Sequence, residues 1–288
     1  MEKKFYLFGS PISKSPSPTL HNTGFQHYGL NCKYELCDTL DIQKVWSTIQ
    51  EPSTAGGSVT IPHKVAILPF LSSITPAAQE IGAVNTVYKV EREGQQLVEG
   101  DNTDWIAIRN LSESRLREVH GDRPLGGLTG LVIGAGGTAH AACYALKSLG
   151  IPFFIYNRSA PKAQELAHKF NGTLCETLGA LPGVDVVIGT VPPSAQFALP
   201  EGLVKESLVV VELVYAPRET ALVAQARKHN CKIVEGSEIL FEQGIKQFHI
   251  FTNFNPPKRE IAHAIVHNHN NAELSHNPPR TFSQLLNS

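Results

Sequence analysis

Hydroxyl, amide, amine and carboxylate side chains come together in three polar clusters of the N-terminal portion of the chain. The first is Ser13-Lys14-Ser15-Pro16-Ser17-Pro18, with His21 and Asn22 close behind. The second is Ser58-Val59-Thr60-Ile61-Pro62-His63-Lys64, and the third joins Gly82-Ala83-Val84-Asn85-Thr86 to Gly100-Asp101-Asn102-Thr103-Asp104. Together these groups suit recognition of a small, polyhydroxylated, carboxylated molecule. Taken singly, each cluster is equally well explained as turn chemistry, because Ser, Asn, Asp and Pro favour loops for backbone reasons.

A different chemistry is written further along. Gly134-x-Gly136-x-x-Ala139 has the spacing of a dinucleotide fingerprint, with an apolar run at 131–133 before it and a helical pattern after it. In such a loop the first glycine permits the tight turn and the second lets backbone approach a pyrophosphate. The small third residue lets helix pack closely on strand. The anion would sit on the helix N-terminus, with Ala135, Gly137 and Thr138 completing the loop. The next strand ends in Asn157-Arg158-Ser159, where an NAD site usually has an acid for the ribose hydroxyl. A fixed cation there can pair a 2′-phosphate, so the cofactor expected is NADP in preference to NAD.

The elements needed to hold these groups follow from the pattern of apolar runs. Strands are expected at 5–8, 33–36, 58–61, 83–90, 96–99, 131–133, 153–156, 184–188, 208–213 and 232–234. Helical stretches are expected at 19–28, closed by Gly29, at 42–49, after Pro62, within 109–127, and from Ala139 to Gly150. Short buried strands alternating with helices argue for an α/β chain with a parallel doubly wound sheet. The 23 Gly and 19 Pro fit many short elements joined by tight turns. The segment 267–288 is polar and rich in Asn and His, so it reads as a flexible tail.

Composition removes whole classes of function. The 288 residues carry 25 Lys+Arg against 26 Asp+Glu, a balance that excludes the basic footprint of a nucleic-acid binder. Five cysteines without a C-x-x-C pair point away from zinc and from a disulfide framework, and the 12 histidines make no metal site. No apolar run is long enough to span a bilayer and no signal peptide is evident, so a cytoplasmic protein with no membrane partner is expected.

The runs S-x-S-P, V-T-x-P-H-K, G-A-V-N-T and N-T-D, in that order before G-A-G-G, closely resemble the shikimate dehydrogenase family over about residues 5–266. The wording is most similar to the dehydrogenase domain that ends the fungal multifunctional shikimate-pathway polypeptide. The resemblance implies an α/β substrate domain at 1–105, rejoined by 239–266, and a Rossmann-like NADP domain at 106–238, with a cleft between them. It implies that Ser15 and Ser17 hold a substrate carboxylate and that Thr60, Asn85 and Asp104 bind ring hydroxyls. Lys64 and Asp104 would be the catalytic pair, with Tyr215 and Gln243 facing the substrate. His63 adjoins Lys64 and His21 lies in the first cluster, so by position both are expected to line the cleft without titrating there. Thr190 and Gly236 join the residues expected along the cofactor.

The implied reaction is reversible, NADP-dependent reduction of 3-dehydroshikimate to shikimate by a monomer or homodimer. The alternatives are a quinate dehydrogenase using NAD or NADP, and a non-catalytic sensor of quinate or shikimate. Three departures from the family pattern stand out: His140 where many relatives have Arg, Ala107 for a Gly, and Ser159 for a Thr.

Overall fold

The computed structural model describes residues 1–267 and 272–287. The chain forms two compact units, Met1–Thr103 with Phe241–Ser288, and Asp104–Leu240. The crossings expected at 105/106 and 238/239 are each displaced by two residues, because both fall at or within helices that run through them.

The first unit opens with β1 (Lys3–Gly9), α1 (Ser17–His27), β2 (Cys32–Asp38), α2 (Ile42–Gln50) and β3 (Thr54–Val59). A single turn, α3 (His63–Ala66), leads to β4 (Ser73–Ile74) and α4 (Pro76–Ile81), then to the antiparallel hairpin β5 (Thr86–Arg92) and β6 (Gln95–Asp101). Its sheet has the order β2-β1-β3-β5-β6-β4. Strand β1 lies parallel to both neighbours and is covered on both faces, as its unbroken apolar run requires. Phe5 and Leu7 pack with Phe25, Tyr34 and Phe248 on one side, whereas Tyr6 and Phe8 pack with Val45, Ile49 and Val59 on the other. That division is the period of two of a pleated strand. The strand expected at 58–61 lies earlier, at Thr54–Val59. Gly56 and Gly57 hide it from a pattern search, yet a side chain at either would strike the Val87 or Tyr6 carbonyl of a neighbouring strand.

The second unit contains α5 (Asp104–His120), β7 (Gly130–Ile133), α6 (Gly137–Ser148), β8 (Phe153–Tyr156), α7 (Ala160–Phe170) and β9 (Thr173–Leu174). After these come β10 (Val186–Gly189), β11 (Val209–Glu212), α8 (Ala221–Lys228) and β12 (Lys232–Val234). All neighbours are parallel and the order is β12-β11-β10-β7-β8-β9. Numbered from its own first strand, this sheet runs 6-5-4-1-2-3, the doubly wound dinucleotide order. The order reverses between β7 and β10, which is where such sheets bind ligands.

Helix α9 (Gly236–Thr252) starts in the second unit and returns the chain to the first, where α10 (Lys258–Val266), α11 (Ala272–His276) and α12 (Arg280–Asn287) follow. The reading of 267–288 as a flexible tail is corrected for the described part of that segment. Phe282 is fully buried, 5.0 Å between ring centroids from Phe241, and Leu285 and Leu286 pack on the same cluster of Leu20, Ile261 and Ile265. The apolar surface needed to order this polar-looking stretch is supplied by α1, α9 and α10. Phe282→Ala is expected to cost about 3–5 kcal/mol, read as a lowered urea midpoint at unchanged slope.

Candidate active site

The C-terminal ends of β1 and β3, the end of β6 and the start of β5 lie at one end of the first sheet, and the residues of the three polar clusters up to Thr103 follow or flank them. Thr60 leaves β3 held by its N–H to the Phe8 carbonyl at 2.9 Å. Lys64 follows in α3, half-buried, and its carbonyl accepts from the Val84 N–H at 2.8 Å. That bond straps the short helix to the 82–85 turn, so Lys64 and Asn85 are positioned together. Asn85 in turn donates its own N–H to the Asp101 carbonyl at 3.0 Å, and Asn102 Nδ2 donates to the Ala83 carbonyl at 2.9 Å.

Asn85 is the centre of the cluster. Its Oδ1 accepts from the Thr103 N–H and from the Thr86 hydroxyl, both at 2.7 Å. A backbone N–H can only donate, so the amide orientation is settled and Nδ2 is the end that faces Thr103 Oγ1, at 2.9 Å, and Gln243 Oε1, at 3.2 Å. Thr103 Oγ1 is also 3.2 Å from Gln243 Oε1. Thr60, Lys64, Asn85 and Gln243 thus belong to one bonded framework of the first unit.

Ser15 and Ser17 lie at the N-terminus of α1. The Ser17 N–H is 3.3 Å from Ser15 Oγ, and the two hydroxyls are 3.1 Å apart. Two hydroxyls at the positive end of the dipole of an 11-residue helix make a suitable seat for a carboxylate. Two neighbouring histidines are structural. His63 is buried with Nε2 2.8 Å from the Thr39 carbonyl. His21 is stacked on Tyr34 in an aromatic cluster, where burial pushes its pKa down to about 3 and keeps it neutral. Neither is an exposed lining residue, which corrects the expectation for both.

In the second unit the glycine loop sits at the switch point. Gly134 has φ +114°, and a Cβ there would overlap the Thr190 hydroxyl at the end of β10. Gly136 caps α6, and a Cβ there would meet nothing within 4 Å, so open space lies over the helix N-terminus. Ala135, Gly137, Thr138 and the buried Ala139 continue the loop into a 12-residue helix. These residues fit a pyrophosphate held by backbone N–H groups. Arg158 is exposed at the end of β8, and Asn157 Nδ2 donates to the Ser159 carbonyl at 3.0 Å. Among residues expected along the cofactor, two have work inside the fold. Thr190 Oγ1 donates to the Ile133 carbonyl at 2.7 Å, and Gly236 lets α9 start flush against the Val214 carbonyl.

Asp104 is the first residue of α5 and Tyr215 lies half-buried beyond β11, both in the second unit. Ala107 is fully buried and does not border open space. Among the described residues no group of three or more His, Cys, Asp or Glu could hold a metal ion, and no helix is long and apolar enough to cross a membrane.

Residues 7–87 match the family model of the shikimate dehydrogenase substrate-binding domain, and residues 120–209 that of shikimate/quinate 5-dehydrogenase. A shikimate dehydrogenase crystallised in complex with NADP+ is 32% identical, with a TM-score of 0.76 over 92% of this chain and 94% of that one. The chain belongs to the shikimate/quinate dehydrogenase family. The Thermus thermophilus shikimate dehydrogenase, in complex with NADP(H) and shikimate, is 29% identical at a TM-score of 0.77, over 91% of this chain and 98% of that one. The pentafunctional AROM polypeptide of Mycosarcoma maydis is 36% identical over 90% of this chain, which spans 18% of that polypeptide.

Two buried polar residues of this dehydrogenase-family chain were not singled out from the sequence. Thr103 lies inside the N-T-D run, whose pattern alone gives it no role. Gln247 lies one helical turn after Gln243, and that i,i+4 spacing is the signal that points to it.

Proposed function

We propose that the chain is an NADP-dependent shikimate dehydrogenase of the cytoplasm, reversibly reducing 3-dehydroshikimate to shikimate. The observation that carries the reading is one chain holding both a dinucleotide loop at the switch point of a doubly wound sheet and the Asn85–Thr103–Gln243 cluster. Support comes from the relatives crystallised with NADP(H) and with shikimate. NADP(H), when bound, supplies the hydride or takes it up.

The chain's own residues do the rest. Ser15 and Ser17 seat the substrate carboxylate at the start of α1, and Thr60, Asn85, Asp104, Tyr215 and Gln243 hold the ring and its hydroxyls. Lys64 and Asp104 are the acid–base pair. As the ketone oxygen gains charge, the Lys64 ammonium stabilises it and delivers the proton. The loop from Gly134 to Ala139 would hold the pyrophosphate, and Arg158, with Asn157 and Ser159, the 2′-phosphate. His140 offers no permanent charge where many relatives have Arg, so Arg158 carries most of the discrimination for the phosphate.

Purified protein is therefore expected to oxidise NADPH when given 3-dehydroshikimate. Arg158→Gln should raise KM for NADP+ about tenfold or more, the worth of a charge-assisted hydrogen bond, and leave KM for NAD+ unchanged. An unchanged KM for NADP+ in that variant contradicts the assignment of Arg158.

A further inference from the structure

The hydrogen bonds behind Asn85 run in one direction through the first unit. Tyr34 Oη donates to Ser58 Oγ at 2.6 Å, and Ser58 Oγ donates to Gln247 Oε1 at 2.7 Å. Gln247 Nε2 donates to Thr86 Oγ1 at 2.9 Å, and the Thr86 hydroxyl donates to Asn85 Oδ1 at 2.7 Å. Asn85 Nδ2 then donates to Thr103 Oγ1 at 2.9 Å, and Thr103 Oγ1 reaches Gln243 Oε1 at 3.2 Å. The six residues from Tyr34 to Thr103 in this chain are all buried.

Two backbone groups fix its direction. Gln247 Nε2 also meets the Asn85 carbonyl at 3.0 Å, an atom that can only accept. The Thr103 N–H at Asn85 Oδ1 can only donate. The Thr103 hydroxyl lies 3.3 Å from Asn85 Oδ1 and 3.2 Å from Gln243 Oε1, and because Thr103 N–H and Thr86 Oγ1 already take the two lone pairs of Asn85 Oδ1 at 2.7 Å, its proton is directed to Gln243 Oε1. Burial pushes the Tyr34 phenol up, so the first donor stays protonated across the working pH range.

We infer that Gln247 and Thr86 are positioning residues whose hydrogen bonds fix the polarity of the ring-hydroxyl subsite, so that Gln243 turns its amino group toward the ligand and takes a substrate oxygen as an acceptor. The inference rests on the reading of Gln243 as a substrate residue and adds what orients it. Reversal of a single amide in the chain would set donor against donor, or acceptor against acceptor, in a buried site at both ends. Thr86 and Gln247 touch no ligand in this account and act only through Asn85, Thr103 and Gln243.

The test uses the full chain with shikimate and NADP+ varied in turn. Thr86→Val keeps the shape and removes the hydroxyl, and Thr86→Ser restores it. Thr86→Val is expected to raise KM for shikimate about fivefold or more, with kcat and KM for NADP+ within about twofold, and Thr86→Ser to return KM to the starting range. Gln247→Leu should act likewise, and adding it to Gln243→Ala should deepen the loss from Gln243→Ala by less than about twofold. An unchanged KM for shikimate in Thr86→Val, or full additivity of Gln247→Leu with Gln243→Ala, overturns the inference. If Gln243→Ala itself leaves KM for shikimate unchanged, both the inference and the placement of Gln243 at the substrate fall. If Gln243→Ala raises it and Thr86→Val does not, only the inference falls. The Thr86 pair decides the matter even if Gln247→Leu fails to fold.

Discussion

Lys64→Ala is expected to lower kcat about 10²- to 10⁴-fold, the usual worth of a positioned general acid, with KM for NADP+ little changed. The reason is local. Lys64 sits in a four-residue helix whose carbonyl is bonded to Val84, one residue before Asn85, so the backbone stays in place when the amine is removed. On the proposed mechanism, what is lost is the proton for the new hydroxyl and the charge that steadies the oxygen as the hydride arrives. Lys64→Arg separates those two contributions, because a guanidinium keeps its charge but holds its proton too tightly to deliver it. The arginine variant should therefore keep the part of kcat that the charge supplies and fall between Lys64→Ala and the unchanged protein. Turnover at the unmodified rate in Lys64→Ala rules the residue out as the acid.

A stability effect as large as that of Phe282→Ala is expected at Arg115, which no motif reading singled out. Its guanidinium is buried in the second unit and bonds Glu238 Oε1 at 2.9 Å, with Glu118 3.5 Å away. Glu238 is buried as well and spends its other oxygen on the Glu235 N–H at 2.9 Å. Glu235 is clasped in turn by Arg218 and Arg227. Arg115→Ala leaves the Glu238 carboxylate without its cation in a dry site, at a cost of about 3–5 kcal/mol. Replacing both partners, as in Arg115→Met with Glu238→Met, removes the stranded charge and should recover most of that loss. Urea titration followed by circular dichroism reads both variants. Equal destabilisation by the single and the double change contradicts the ion-pair explanation.

Much of the second unit was legible because its strands are short, mostly apolar and separated by helical patterns and turn residues. The runs at 131–133, 153–156 and 232–234 correspond to β7, β8 and β12 almost to the residue. The glycine loop announces its own backbone needs, and the positive φ of Gly134 agrees with them. The first unit was legible where a run of apolar side chains marks the strand, as in β1 and the β5–β6 hairpin. It was obscure where glycine replaced them, as in β3. Strands β4 and β9, two residues each, leave no periodic trace, because tertiary pairing alone makes them strands.

The C-terminal helices were misread for a related reason. Phe282, Leu285 and Leu286 are too few to build a core alone, and the surface they cover comes from Leu20, Phe241 and Ile261, far away in sequence. Among the candidate site residues, the family resemblance named Ser15, Ser17, Lys64, Asn85 and Gln243 together. The bonds that hold Asn85 and Gln243, through Tyr34, Ser58, Thr86, Thr103 and Gln247, join segments up to 189 positions apart. No local pattern encodes such partners. His63, beside Lys64 in sequence, shows the opposite hazard, since adjacency suggested the site and burial placed it in the core.

The most direct measurement is kcat/KM of the purified chain for shikimate and for quinate, each with NADP+ and with NAD+. The account predicts that shikimate with NADP+ exceeds quinate with NAD+ by about 10²-fold or more, with turnover also seen in the reverse direction from 3-dehydroshikimate and NADPH. Faster turnover of quinate with NAD+, or shikimate binding without turnover by either nucleotide, would contradict it.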